Sequence, residues 1–156
     1  MQQIAVLFVC LGNICRSPMA EFIFKDKVKK AGLSKYFSIS SAGISGWHNG
    51  ETMHCGTAEL LERHQIESNS FHSRQVSKED IQKYHYLIAM DESNLKDLEQ
   101  LFGQHQKIFK ITTLCQDLPK DHIPDPWYTK DFDETYRLLD RCCDQLLLKI
   151  CRDFKL

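Results

Sequence analysis

The chain's cysteines show no organisation: seven thiols include no C-x-x-C pair, and no His-x3-His stands near them. Zinc sites built on those spacings are therefore excluded. An odd set with no framework spacing, including adjacent Cys142 and Cys143, also argues against a disulfide-stapled secreted domain and for a reducing cytoplasm. Long apolar runs are missing too. Ile4 to Leu11 is too short to span a membrane and, without a basic leader, does not resemble a signal peptide. Neither sign of charge dominates, with 20 Lys plus Arg against 21 Asp plus Glu. That balance gives no general electrostatic reason to bind nucleic acid or an anionic membrane, so any anion site must be local. The phosphate-binding pattern Gly-x4-Gly-Lys-Ser/Thr is absent, which removes a nucleotidase of that type.

What remains is enough to build one domain over residues 1–156, because 42% of the residues are hydrophobic and a core of that size needs no staples. Ile4 to Cys10 is continuously apolar and rich in β-branched and aromatic residues, as a strand reads when helices cover both its faces. Leu11 to Arg16 follows as a turn. Ser17-Pro18 then predicts a helix start, with Ser17 as N-cap, Pro18 at the first helical position and Glu21 in the first turn. Gly32 predicts its end. Strands are expected at Tyr36 to Ser41, Tyr84 to Met90 and Lys107 to Ile111, and helices over Thr57 to His64 and from Asp91 to Phe102. Three of the four prolines fall between Leu118 and Asp131, a predicted loop. Beyond it Tyr136, Leu139, Cys143, Leu146, Ile150 and Phe154 recur at helical spacing. Strands alternating with helices predict an α/β fold with a doubly wound sheet of about four parallel strands. Ligands of such sheets sit beyond the carboxyl ends of the strands, where the Leu11 to Arg16 turn lies.

That turn carries the chemistry. Gly12 and Asn13 tolerate positive φ, so the backbone between Cys10 and Arg16 can curl with its N–H groups inward. A nest of this kind, opening onto a helix N-terminus, suits an anion of phosphate size, and the planar fork of Arg16 can grip two phosphoryl oxygens. The same donors favour a thiolate, so Cys10 is expected to be ionised at neutral pH and nucleophilic. Ser17 can donate its hydroxyl to that sulfur. Spacing alone is a weak signal, since a cysteine ending a buried strand also packs as a small hydrophobe. The strand, the Gly-Asn turn, the arginine and the Ser-Pro helix start together favour the site.

Val9-Cys10-Leu11-Gly12-Asn13-Ile14-Cys15-Arg16-Ser17-Pro18-Met19-Ala20-Glu21 resembles the signature of the low-molecular-weight protein tyrosine phosphatases, and the resemblance extends over essentially the whole chain. It implies that Cys10 is the nucleophile, that Arg16 binds the phosphoryl group, and that Leu11, Gly12, Asn13, Ile14, Cys15, Arg16 and Ser17 form the phosphate loop. Taken alone, Asp125 between Pro124 and Pro126 reads as a turn former; the resemblance makes it the general acid and base. It further implies that Ser41 and His72 brace Asn13, and that Leu11, Trp47, Trp127 and Tyr128 wall a phenyl ring. On residues alone, His72 is an ordinary loop histidine and Trp47 is equally a packing residue. Asp91 matches another family landmark and reads as a cap for the helix that follows. Cys15 stands where some members use a thiol as a redox partner for the nucleophile.

The expected reaction is hydrolysis of phosphotyrosine and small aryl phosphates through a phosphocysteine, with no metal and no cofactor. Expected partners are phosphotyrosine proteins and an oxyanion such as inorganic phosphate, with neither nucleic acid nor membrane, for a monomer or weak homodimer. Thiol-dependent arsenate reductases share the Cys-x5-Arg loop but need two further mid-chain cysteines, and none occurs between Cys55 and Cys115. Arginine phosphatases of the family tend to carry threonine where this chain has Ile14. A phosphotyrosine-binding module without catalysis would have lost the nucleophile or the acid.

Overall fold

A computed structural model describes residues 2–156. Its sheet has four parallel strands in the order β2-β1-β3-β4, with β1 at Ile4–Cys10, β2 at Phe37–Gly43, β3 at Tyr86–Ala89 and β4 at Ile108–Lys110. The longer helices are α1 (Arg16–Lys30), α2 (Cys55–Arg63), α4 (Glu92–Phe102) and α6 (Phe132–Phe154); α3 (Asp80–Lys83) and α5 (Pro126–Thr129) are single turns. The fold is the expected doubly wound α/β arrangement.

Alternation along β1 divides the interior. Val6, Phe8 and Cys10 face a large core shared with α1, α2 and α6, where Phe24, Leu60, Leu139 and Cys143 are fully buried. Leu7 and Val9 face a smaller core with Leu87, Ala89 and Leu98, closed by α3 and α4. A strand buried on both faces must be apolar at every position, which is why β1 reads as an unbroken run. Because β1 pairs with β2 on one side and β3 on the other, the chain leaves its carboxyl end at the point where the connections diverge. Ligand crevices open at such points.

Two local expectations are corrected. α1 begins at Arg16 with Cys15 at its N-cap, no side chain caps it, and no acidic residue lies in its first turn. Ser17 does not cap, because its hydroxyl is taken up by Cys10 and Asn13. Pro18 is tolerated because a first-turn amide has no intrahelical partner to lose. The proline-rich loop also holds a helical turn, α5, which Asp125 caps by accepting from the Trp127 amide at 3.0 Å. Pro126 at its first position presets the backbone for that turn. Gly32, at φ +73°, does end α1, and the Leu33 amide reaches back to Val28.

Candidate active site

The loop from Cys10 to Arg16 is shaped by where its carbonyls go. Cys10 and Leu11 give theirs to the amides of Ile44 and Ser45, Asn13 to the Ser73 hydroxyl, Ile14 to the His54 amide, and Cys15 to the Met19 amide and the Thr57 hydroxyl. With these five carbonyls spent on partners outside the loop, its amide hydrogens are left to serve an anion. The Asn13 amide donates to Cys10 Sγ, with nitrogen and sulfur 3.3 Å apart. The Ser17 hydroxyl sits 3.0 Å from the same sulfur.

Asn13 alone in the loop takes the left-handed conformation, at φ 57°; Gly12, expected to share it, does not. Space is what Gly12 supplies, since a Cβ there would stand 3.2 Å from the His48 ring. Gly43 at the end of β2 serves similarly: a Cβ would meet Leu11 O and Ser45 O at 3.0 Å and Asn13 Cβ at 3.1 Å.

Asn13 is fully buried and fully bonded. Its amide nitrogen donates to the hydroxyls of Ser17 at 2.8 Å and Ser41 at 2.9 Å, and its side-chain oxygen accepts from the Arg74 amide at 3.0 Å. Ser41 in turn donates to buried Glu21 at 2.6 Å, a contact that no sequence pattern indicated. His72 does not brace the loop. It is exposed, with Nδ1 3.3 Å from Gly50 O, because Ser73 and Arg74 are the residues of that strap turned toward Asn13. The strap is held by the Arg74–Asp80 ion pair, in which the Asp80 carboxylate is 3% exposed and meets the guanidinium at two points.

Arg16 is almost wholly buried and its fork is held from behind. Its Nη1 donates to Asp91 Oδ2 at 2.7 Å and to Ile123 O at 2.9 Å, and Nη2 stands 3.5 Å from Asp125 Oδ2. Burial alone would lower its proton affinity; the neighbouring Cys10 sulfur, the Asp91 hydrogen bond and the Asp125 carboxylate more than offset that and raise it. Cys15 behaves oppositely. Burial first, then negative charge at Cys10 and Asp125, push its thiol up to about 12, so near neutral pH it stays protonated. A thiol held protonated is a poor nucleophile.

Cys10, Arg16 and Asp125 line one cavity of about 160 Å³, comparable with the ~150 Å³ that holds a benzene ring in engineered sites. Leu11, Ile14, Trp47, Trp127 and Tyr128 form its apolar sides. Trp47 is 77% and Tyr128 74% exposed, so both are rim residues and not core packing. His48, which the sequence did not single out, also lines the cavity, with Glu51 3.1 Å from its Nδ1. Among the described residues no group of three or more His, Cys, Asp or Glu side chains is arranged to hold a metal. Among the same residues no helix is long and apolar enough to cross a membrane.

Comparison with known proteins agrees with this geometry. A family model described as low molecular weight phosphotyrosine protein phosphatase matches residues 5–156. The low molecular weight protein-tyrosine-phosphatase YfkJ of Bacillus subtilis is 43% identical over 155 residues, 98% of this chain and 99% of the relative. Its crystal structure superposes with a TM-score of 0.94, covering 98% of each chain. The low molecular weight phosphotyrosine protein phosphatase of Sus scrofa is 39% identical over 94% of this chain and 95% of its own. A Drosophila arginine phosphatase has the same fold, with a TM-score of 0.84 and 30% identity over 93% of this chain and 96% of its own.

Proposed function

The chain belongs to the low-molecular-weight phosphotyrosine protein phosphatase family, and from that premise we propose that it hydrolyses phosphotyrosine and small aryl phosphates through a phosphocysteine at Cys10. One observation carries the assignment of roles: the Cys10 sulfur, the Arg16 guanidinium and the Asp125 carboxyl line a single ring-sized cavity.

In the first half-reaction the substrate phosphoryl group lies in the loop, held by the amides of Leu11 to Ser17 and by the Arg16 Nε and Nη2 hydrogens that Asp91 does not use. Such preorganised donors stabilise charge on the equatorial oxygens as the transition state forms. The arriving dianion competes for the Arg16 fork and frees Asp125 to carry the proton. Cys10 Sγ attacks phosphorus in line, the S–P bond forms, the P–O bond to the ring breaks, and Asp125 protonates the departing phenolic oxygen. In the second half, water attacks phosphorus, Asp125 takes its proton, and the S–P bond breaks. The Ser17 hydroxyl, 3.0 Å away, stabilises the returning sulfur anion. Inorganic phosphate leaves.

The apolar walls favour an aromatic ring over the polar guanidino stem of phosphoarginine, and the half-buried Ile14 supplies part of that surface. The protein acts as a monomer or weak homodimer on phosphotyrosine-containing proteins. Seven unpaired thiols suit a reducing cytoplasm.

The test compares phosphotyrosine peptide, p-nitrophenyl phosphate and phosphoarginine on three proteins in the presence of chelator. Cys10→Ser is expected to lose turnover on all of them. Asp125→Asn is expected to fall about 10²–10⁴-fold on phosphotyrosine, and less on p-nitrophenyl phosphate, whose leaving group needs little protonation. Turnover by Cys10→Ser overturns the mechanism, and preference of the unmodified enzyme for phosphoarginine overturns the substrate.

A further inference from the structure

Lys130 closes α5 in the left-handed conformation, at φ 61°, with its amide donating to Pro126 O at 2.9 Å. Glycine meets that backbone requirement without strain, and lysine does not. The side chain is nevertheless placed with some definition. Its ammonium donates to the Trp127 carbonyl at 2.8 Å and lies 5.6 Å from the centre of the Trp127 ring. Trp127 is a wall of the catalytic cavity, so the charge is held at the mouth through which a peptide must pass.

The other basic side chains lining the cavity already have acidic partners. Buried Arg16 pairs with Asp91 and stands by Asp125, and His48 Nδ1 has Glu51 at 3.1 Å. Lys130 takes part in none of the described ion pairs, and one carbonyl leaves two of its three donors for another partner. It therefore presents an uncompensated charge beside the ring site, with part of its rotamer freedom already removed by the indole and the carbonyl. Less ordering remains to oppose a new contact.

Building on the phosphotyrosine reading above, we propose that Lys130 is a specificity-determining residue that selects substrates with an acidic side chain close to the phosphotyrosine. When the phosphorylated ring sits against Trp127, a carboxylate one or two residues away along an extended peptide meets the Lys130 ammonium at the rim. The pair is exposed, so its contribution is modest and sensitive to salt. It acts on peptide capture, hence on KM, and not on phosphoryl transfer.

The experiment uses three phosphotyrosine peptides of equal length, whose flanking residues are acidic, neutral or basic, together with p-nitrophenyl phosphate. Selectivity is read as a ratio of kcat/KM values on one enzyme preparation, so any change in general activity cancels. The unmodified enzyme is expected to prefer the acidic over the neutral peptide about three- to fivefold, through KM, with the preference fading as salt is raised to roughly 0.5 M. Lys130→Gly, which also relieves the backbone, is expected to bring the ratio to about one, and Lys130→Glu to invert it in favour of the basic peptide. Equal handling of the three peptides by the unmodified enzyme, or an acidic preference that survives Lys130→Gly, overturns the proposal while p-nitrophenyl phosphate turnover still supports the phosphatase reading. Absence of that turnover in the unmodified enzyme overturns both.

Discussion

Asn13 occupies a backbone region that costs a side-chain-bearing residue roughly 1–2 kcal/mol, and its own amide group is what secures it there. Three side-chain hydrogen bonds tie it to Ser17, Ser41 and the Arg74 amide, while its backbone oxygen accepts from Ser73. Truncation to alanine keeps the strain, removes all three side-chain bonds, and leaves two buried hydroxyls and one amide short of a partner. At about 1 kcal/mol for each bond, Asn13→Ala is expected to lose ~2–4 kcal/mol of stability in urea unfolding. It should also lower kcat/KM for p-nitrophenyl phosphate by at least about tenfold as the loop amides move off their positions. Asn13→Gly relieves the backbone without restoring the bonds, so it should recover part of the stability and little of the activity. Unchanged kinetics in Asn13→Ala would show that the loop holds its shape without this residue. Asn13 was legible as a turn former, and Ser41 became legible through the family signature. The brace from Ser73 and Arg74 was not, because it depends on a strap packed beside β2, and nothing local in Phe71-His72-Ser73-Arg74 says which side chain turns inward.

At the scale of elements, the site is assembled where strands end and helices begin. β1 ends at Cys10 and hands over through the loop to α1; β3 is followed by Asp91, which caps α4. Asp91 does two jobs with two oxygens: Oδ1 accepts from the Asn94 amide at 2.8 Å and Oδ2 holds Arg16 at 2.7 Å. Only the first was readable, since a cap is a local pattern and the arginine arrives from another strand's loop. Asp91→Asn separates the two. Its side-chain oxygen can still cap, so stability should change by no more than ~1–2 kcal/mol, while the neutral side chain loosens the guanidinium fork. The expected result is a fall of about tenfold in kcat/KM for p-nitrophenyl phosphate, together with weaker inhibition by inorganic phosphate. Loss of stability without loss of phosphate affinity would reduce Asp91 to its capping role. The start of α1 was misread for a related reason. Ser17-Pro18 has the composition of a helix cap, but the hydroxyl is drawn to the Cys10 sulfur and to Asn13, and the first-turn amides stay uncapped at the cavity. α5 was missed because four residues give no periodicity, although Asp125-Pro126 carries a cap and a first-position proline.

The whole molecule brings together residues from opposite ends of the chain, and long-range packing achieves this. α6 lies against α1 over the larger core, with Leu139, Cys142, Cys143 and Leu146 fully buried. Asp131 caps α6 by accepting from the Glu134 amide at 2.9 Å, and Thr135 ties down the segment that carries Asp125, its hydroxyl donating to Pro124 O at 3.3 Å. Asp125 is thus positioned by the terminal helix, and Cys10 by the central strand. Fold class and strand order followed from β1 being apolar throughout and from the alternation of strands with helices. The distance from Asp125 to Arg16 could not follow from either, because it depends on how α6 seats against α1. The central claim is that phosphorus passes through the Cys10 sulfur. Mixing enzyme with p-nitrophenyl phosphate, quenching in acid within the first turnovers and digesting for mass spectrometry tests it directly. A phosphoryl group on the peptide containing Cys10, confined to that residue and absent from Cys10→Ser, is the predicted result. Full turnover with no phosphoenzyme at any quench time, or the phosphoryl group found on Cys15 or another side chain, would contradict it.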